Sequence, residues 1–216
     1  MTRGRFAGMG FAAAVLLATV PAFAGPVSSS LNIISSDTIG SGTLGTVTLT
    51  QNGADEVDVA VTLAPKTDFV DTGVSQNHNA FVFNLDLLST YAVTNTSPTG
   101  GIFTLSDANP SNTPYGTFTS GIDCPGCGPG ASHDNPGPLD FKVTDASGIS
   151  TSDFVKNSGG GYYFSADVIG PSGGTGNIAS NSITGDPSAA PEPAALALLG
   201  SGLFGLNLIR RRKRVQ

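Results

Sequence analysis

The chain contains no tryptophan and, among its 216 residues, only two cysteines and two histidines. Histidine, the side chain most suited to acid–base chemistry near neutral pH and a common metal ligand, is therefore scarce. The sequence also has no GxSxG nucleophile elbow, no HExxH helix and no phosphate-binding loop. We therefore predict that the protein is not an enzyme, and we assign it no catalytic residue, no metal ligand and no cofactor.

Positive charge is nearly absent between the two ends of the chain. Of the ten Lys and Arg residues, two lie among the first five residues and five lie at 210–214, which leaves Lys66, Lys142 and Lys156. The same central part contains fifteen of the sixteen Asp and Glu residues, so its net charge is −12. Nucleic acids and anionic membranes are bound through Lys and Arg, and the composition argues against both as partners. Solubility outside the cell accounts for the acidity, and binding of Ca²⁺ is the alternative.

The first 24 residues have the composition of a secretory signal peptide. Arg3 and Arg5 provide a positive start, and an apolar stretch follows at residues 6–20. Ala22 and Ala24 complete an A-x-A pattern, which signal peptidase accepts. We expect cleavage before Gly25 and export of the remaining chain; an uncleaved membrane anchor is the alternative.

The last 26 residues combine three features in order. Pro191, Glu192 and Pro193 come first, and an uncharged, mostly apolar run follows at residues 194–209. A cluster of cations comes next: Arg210, Arg211, Arg212, Lys213 and Arg214. As a helix the run would be about 24 Å long, and snorkelling Arg side chains can bridge the difference from a hydrocarbon core of roughly 30 Å. Because cationic clusters stay on the cytoplasmic side, we predict a single transmembrane helix with the rest of the protein outside the inner membrane.

This tail resembles the PEP-CTERM sorting signal of Gram-negative bacteria in all three parts, including the helical segment LALLGSGLFGLNLI at residues 196–209. The resemblance implies recognition by an exosortase, a membrane-embedded cysteine transpeptidase that removes the tail and passes the protein outward. It also implies an association with exopolysaccharide-producing, biofilm-forming cells. Segments at residues 46–53, 79–85, 137–141 and 161–167 are similar to a recurrent type of PEP-CTERM ectodomain, to which no activity is attached.

The part between the two tags alternates apolar and polar residues with a period of two. This alternation predicts strands at residues 57–63, 81–85, 139–143 and 162–169, and further strands are predicted at 31–34, 43–50, 101–105 and 116–122. Many short strands separated by Gly-rich turns indicate an all-β fold, an antiparallel β-sandwich of jelly-roll or immunoglobulin-like Greek-key type. We place this ectodomain at residues 25–170, a Gly/Ser/Pro-rich spacer at 171–190 and the sorting tail at 191–216.

The two cysteines, Cys124 and Cys127, form a CPGC segment. In an oxidising compartment so close a pair most simply forms a disulfide, which we predict. A redox pair is one alternative, but it needs a following helix, which the Gly-Pro-Gly after Cys127 disfavours. A metal site that adds His133 and Asp134 is the other, and it is short of soft ligands.

These features together predict an exported, non-enzymatic protein of the envelope or extracellular matrix. Signal peptidase and an exosortase are the expected processing partners, the inner membrane is a transient one, and exopolysaccharide is a further candidate. One alternative is a surface module that binds carbohydrate or Ca²⁺, with Tyr115, Tyr162 or Tyr163 stacking on sugar rings. Another is a secreted hydrolase, which would have to use His78 or His133.

Overall fold

The computed structural model describes residues 25–72, 79–86, 90–98, 103–105, 109–128 and 133–185. The predicted signal peptide at residues 1–24 and the predicted transmembrane helix at residues 194–209 lie outside the described residues and stay predictions. Within the described part, no helix is long and apolar enough to cross a membrane.

Regular structure in the described residues is β, apart from one short 3-10 helix at Thr151–Asp153, so the predicted all-β class is confirmed. The strands are, in chain order, β1 (Val27–Leu31), β2 (Ile33–Ile34), β3 (Gly45–Gln51), β4 (Glu56–Leu63), β5 (Asp68–Phe69), β6 (Phe81–Phe83), β7 (Ala92–Asn95), β8 (Thr104–Leu105), β9 (Ser111–Asn112), β10 (Gly116–Thr117), β11 (Ser120–Asp123), β12 (Leu139–Thr144), β13 (Phe164–Ile169) and β14 (Thr175–Ser180).

The strands form two large antiparallel sheets and one small hairpin, β9–β10. The five-stranded sheet has the order β1-β3-β4-β12-β7, and the seven-stranded sheet has the order β2-β14-β13-β6-β11-β8, with β5 also paired to β13. The two sheets share one core: the ring centroid of Phe141 on β12 lies 5.3 Å from that of Phe83 and 6.0 Å from that of Phe81 on β6. Face-to-face packing of this kind is what the predicted sandwich requires. Its jelly-roll or immunoglobulin-like type stays a prediction.

The period-two alternation places side chains correctly in the five-stranded sheet. On β4 the valines at 57, 59 and 61 are buried, and the residues between them are partly exposed. β12 pairs with β4 in register and repeats the pattern with Leu139, Phe141 and Val143. Successive side chains of a strand point to opposite faces, so one face of this sheet packs on the core and the other meets water.

Strand β13 departs from the predicted half-buried pattern, because all six of its residues are buried. Phe164, Ala166 and Val168 pack into the core between the sheets, as predicted. The opposite face is covered by a second apolar cluster, in which Tyr115 and Phe118 pack on Val82 and Ala179. Tyr162, predicted to face the main core, packs instead against this outer cluster. We call this covered surface the outer face of the seven-stranded sheet.

The predicted spacer at residues 171–190 needs correction, because part of it belongs to the folded domain. Residues 175–180 form β14, which pairs along its whole length with β13. Beyond β14, the backbone of Thr184 exchanges two hydrogen bonds with that of Ser28. The Gly- and Ser-rich composition misled the assignment: Gly174 and Gly176 fit where the chain passes close to Thr38 and Ile39, a place with no room for larger side chains.

The aromatic core should dominate stability. Replacing Phe83, which is fully buried and contacts the rings of Phe81, Phe141 and Phe154, by alanine should lower the free energy of unfolding by about 3–5 kcal/mol. The measurement is urea unfolding followed by circular dichroism, since the chain lacks tryptophan. The control is Leu105→Ala, whose side chain is 54% exposed and should change stability by less than about 0.5 kcal/mol. Equal losses in the two variants would contradict the shared core.

Candidate functional site

The residues predicted to direct export and sorting lie outside the described residues: Ala22, Ala24, Pro191, Glu192, Pro193, Arg210, Arg211, Arg212, Lys213 and Arg214. Their roles stay predictions. The structure does describe where the folded domain connects to them. Ser28 and Thr184 are hydrogen-bonded neighbours, with N···O distances of 2.8 and 2.7 Å. The two ends of the described domain are therefore neighbours in space.

The predicted disulfide between Cys124 and Cys127 is confirmed. It closes a turn directly after β11, and the Cys127 amide donates to the Cys124 carbonyl at 2.8 Å. Cys124 is fully buried against the main core, so the bridge ties the end of a sheet strand to its own turn. With both sulfurs bonded to each other, neither is a metal ligand in this state. A disulfide is also the oxidised form of a redox pair, so it does not distinguish a structural bridge from the redox alternative.

The two histidines lie at different kinds of position. His133 is exposed next to the disulfide turn, where its carbonyl accepts a hydrogen bond from the amide of Gly128 at 2.9 Å. His78 lies outside the described residues. Within the described ranges, no three His, Cys, Asp or Glu side chains come together in a way that could hold a metal ion.

Two pairs of carboxyl groups in the described residues lie close enough for one member to raise the pKa of the other. The Asp123 and Asp71 carboxyl groups lie near each other, and burial, followed by the charge of Asp71, raises the pKa of Asp123. The pKa of Asp68 is likewise raised by burial and by the neighbouring charge of Asp134. Composition signalled that the domain is acidic, but the approach of Asp71 to Asp123 comes from packing between residues distant in sequence.

A layer of buried amide side chains lies under the cover of the outer face. The Nδ2 of Asn177 donates to the carbonyl of Thr113 at 2.7 Å, and the Nδ2 of Asn157 donates to the carbonyl of Tyr115 at 2.8 Å. Asn112 reaches the hydroxyl of Ser165 at 3.4 Å. These bonds hold residues 109–118 over the sheet. Nothing in the period-two pattern indicated this layer, since it depends on a loop folding back over a strand face.

The three tyrosines named as sugar-stacking candidates have different environments. Tyr115 is buried, and its hydroxyl donates to the carbonyl of Ile33 at 2.8 Å. Burial, followed by the proximity of Tyr162, raises the Tyr115 pKa well above its usual range. Tyr115 and Tyr162 pack edge to face with centroids 4.8 Å apart. Tyr115 is thus not a surface residue, and the expectation that it stacks on sugars was wrong.

Tyr163 lines a groove of about 270 Å³, together with Val27, Thr151, Ser152, Phe154, Ile183 and Gly185. The Nζ of Lys156 lies 5.5 Å from the Tyr163 ring centroid, within the range of a cation–π interaction. Aromatic, hydroxyl and cationic groups therefore meet at this one place. The groove also borders the segment at residues 183–185, where the described chain ends.

Lys142 has carboxylate partners on the solvent face of the five-stranded sheet. Its Nζ lies 2.7 Å from Glu56 Oε1 and 3.7 Å from Asp58 Oδ1. The hydrogen bond to Lys142 lowers the pKa of Glu56, and the same bond raises the pKa of Lys142. An exposed pair of this kind contributes little to stability and marks no functional site.

The comparisons with known proteins concern the tail. The family model of the PEP-CTERM protein-sorting motif matches residues 189–214. This match confirms the resemblance drawn from the sequence: the chain carries a PEP-CTERM sorting motif, which implies exosortase processing and export toward the cell envelope. No curated protein and no solved structure matches the chain.

The disulfide should contribute only modestly to the free energy of unfolding, because it closes a very short loop. Replacing Cys124 and Cys127 together by serine should lower the free energy of unfolding by about 2 kcal/mol in urea unfolding. Mass spectrometry should also show that an alkylating reagent modifies the wild-type protein only after reduction. Alkylation without reductant would mean that the exported protein holds free thiols and would contradict the bridge.

Proposed function

We propose that this is an exported, non-enzymatic protein of the envelope or extracellular matrix, processed at its tail by an exosortase-type sorting system. The observation that carries the proposal is the PEP-CTERM sorting motif at residues 189–214. In this proposal Ala22 and Ala24 fit the pockets of signal peptidase. Pro191, Glu192 and Pro193 form the element that the sorting enzyme recognises, and the cations at 210–214 keep the tail end in the cytoplasm.

The ectodomain in this proposal is a β-sandwich that stands outside the inner membrane before its tail is removed. Its net charge of −12 between the tags suits a protein that must stay soluble in an extracellular matrix. The hydrogen-bonded neighbours Ser28 and Thr184 support the arrangement, since they bring the two ends of the described domain together. Association with exopolysaccharide and biofilm is the finer part of the proposal.

A second candidate function is carbohydrate binding, and the groove at Tyr163 favours it. A sugar ring could pack on the tyrosine ring, and the hydroxyls of Thr151 and Ser152 line the same groove. Sites for small ligands commonly combine an apolar wall with a few polar groups. Tyr163 is the best placed of the three tyrosines, because Tyr115 and Tyr162 pack against each other.

The intact mass of the protein recovered from the cell surface or medium tests the sorting proposal. In the native host the mature chain should begin near Gly25 and end near residues 191–193. A strain without the sorting enzyme should retain the tail. If both strains yield a mass that includes residues 210–214, the protein is a permanently anchored membrane protein and the proposal fails.

Retention on immobilised exopolysaccharide from the native host tests the carbohydrate candidate. Tyr163→Ala should weaken retention at least about tenfold if the ring supplies the stacking surface. Leu105→Ala, an exposed apolar residue on β8, is the matched control and should bind as the wild type does. Equal retention of all three proteins would remove Tyr163 from consideration.

A further inference from the structure

The chain makes an excursion from the seven-stranded sheet at one position, opposite Asp167 of β13. The amide of Val70 donates to the Asp167 carbonyl at 3.1 Å, and the Asp167 amide donates to the Ala80 carbonyl at 3.0 Å. The chain thus leaves the edge of β13 after Val70 and returns to the same position at Ala80. Asp167 Oδ2 also accepts hydrogen bonds from the amide and the hydroxyl of Thr72, at 2.6 and 2.7 Å. This carboxylate therefore holds the outgoing end of the excursion in place.

Both ends of the excursion contact β11 on its outer face. At the outgoing end, the Asp71 carboxyl group lies near that of Asp123, close enough for its charge to raise the Asp123 pKa. At the returning end, the amide of Asn79 lies on Gly121, so close that a methyl group built there would be 2.6 Å from Asn79 Oδ1. Gly121 and Asp123 share this face, because Ile122 between them points into the main core. Asp71, Asn79 and Asp123 therefore converge on one strand face.

Asn79 provides an independent indication of a bound ligand at this face of β11. The residue is 0% exposed, and neither its Oδ1 nor its Nδ2 has a hydrogen-bond partner. A buried polar group without a partner carries a free-energy cost, and an ordered ion or water commonly accounts for one. The unpartnered amide oxygen lies on the same face as two carboxyl groups in mutual contact, whose negative charges oppose each other. An anion or an apolar ligand would worsen this arrangement, whereas a cation would relieve it.

We propose that Asp71, Asp123 and the amide oxygen of Asn79 form a binding site for Ca²⁺. All three groups offer oxygen ligands, which this hard cation prefers, and its flexible coordination accepts amide and carboxylate oxygens together with water. Two carboxylates are fewer than in high-affinity sites, so the expected dissociation constant is on the order of 10⁻⁴–10⁻³ M, as in extracellular modules. Bound Ca²⁺ would join Asp71 and Asn79, the two described ends of the excursion, to β11. The inference is independent of sorting at the tail.

The test is calcium titration of the full chain in detergent after treatment with a chelator. Calcium at 10 mM should raise Tm by about 5–10 °C, and calorimetry should show one site in the stated range. Magnesium at the same concentration controls for general screening of the negative charge and should give a clearly smaller shift. No calcium shift, or an equal shift with magnesium, would overturn the proposal.

Three variants locate the site. Asp123→Asn should weaken calcium binding at least about tenfold and should raise Tm in the presence of chelator, because the repulsion between the two carboxylates is removed. Asn79→Ala should weaken binding while keeping both carboxylates. Asp140→Asn is the matched control, since Asp140 is a half-buried carboxylate on the other sheet, and it should bind calcium as the wild type does. An undiminished calcium shift in Asp123→Asn would place the ion elsewhere and overturn the proposal.

Discussion

Burial of both faces of β13 is the constraint on which the rest of the domain depends. A strand in the middle of a sheet can have one solvent-exposed face, but in β13 every residue from Phe164 to Ile169 is buried. The inner face packs into the phenylalanine core that joins the two sheets. The outer face carries Ser165 and Asp167, which must find polar partners once water is excluded. A cover with both apolar and polar contacts is therefore required, and residues 109–118 provide it.

The polar residues under that cover explain the unusual chain path nearby. Asp167 is fully buried, and its Oδ2 accepts hydrogen bonds from the amide and the hydroxyl of Thr72, a residue at the beginning of the excursion. The same excursion brings Asp71 to Asp123 and Asn79 to Gly121. Asp167 thus holds Thr72 through its carboxylate and Ala80 through its amide, the residues next to Asp71 and Asn79. Through these contacts, the packing of the sheet is linked to the proposed calcium site.

The exported state gives these features a common setting. Outside the cytoplasm a disulfide persists, millimolar calcium is a plausible ligand, and a surface rich in carboxylates favours solubility. The tail and the domain have separate roles. The PEP-CTERM motif directs processing, and any binding by the mature protein would belong to the ectodomain. Within the described domain, Thr184 pairs with Ser28, so the two ends of the described chain are neighbours.

The sequence by itself determined the sorting tail, the cysteine pair and the strands whose two faces differ. Composition and order suffice for the tail, closeness in sequence suffices for Cys124 and Cys127, and alternation suffices for β3, β4 and β12. Only the tertiary structure placed β14 in the predicted spacer, buried Tyr115 and brought Asp71 to Asp123. Alternation with a period of two indicates on which face of the sheet a side chain lies. It does not indicate whether a segment distant in sequence covers that face. That depends on contacts between residues far apart in the chain, which exist only once the sheets have assembled.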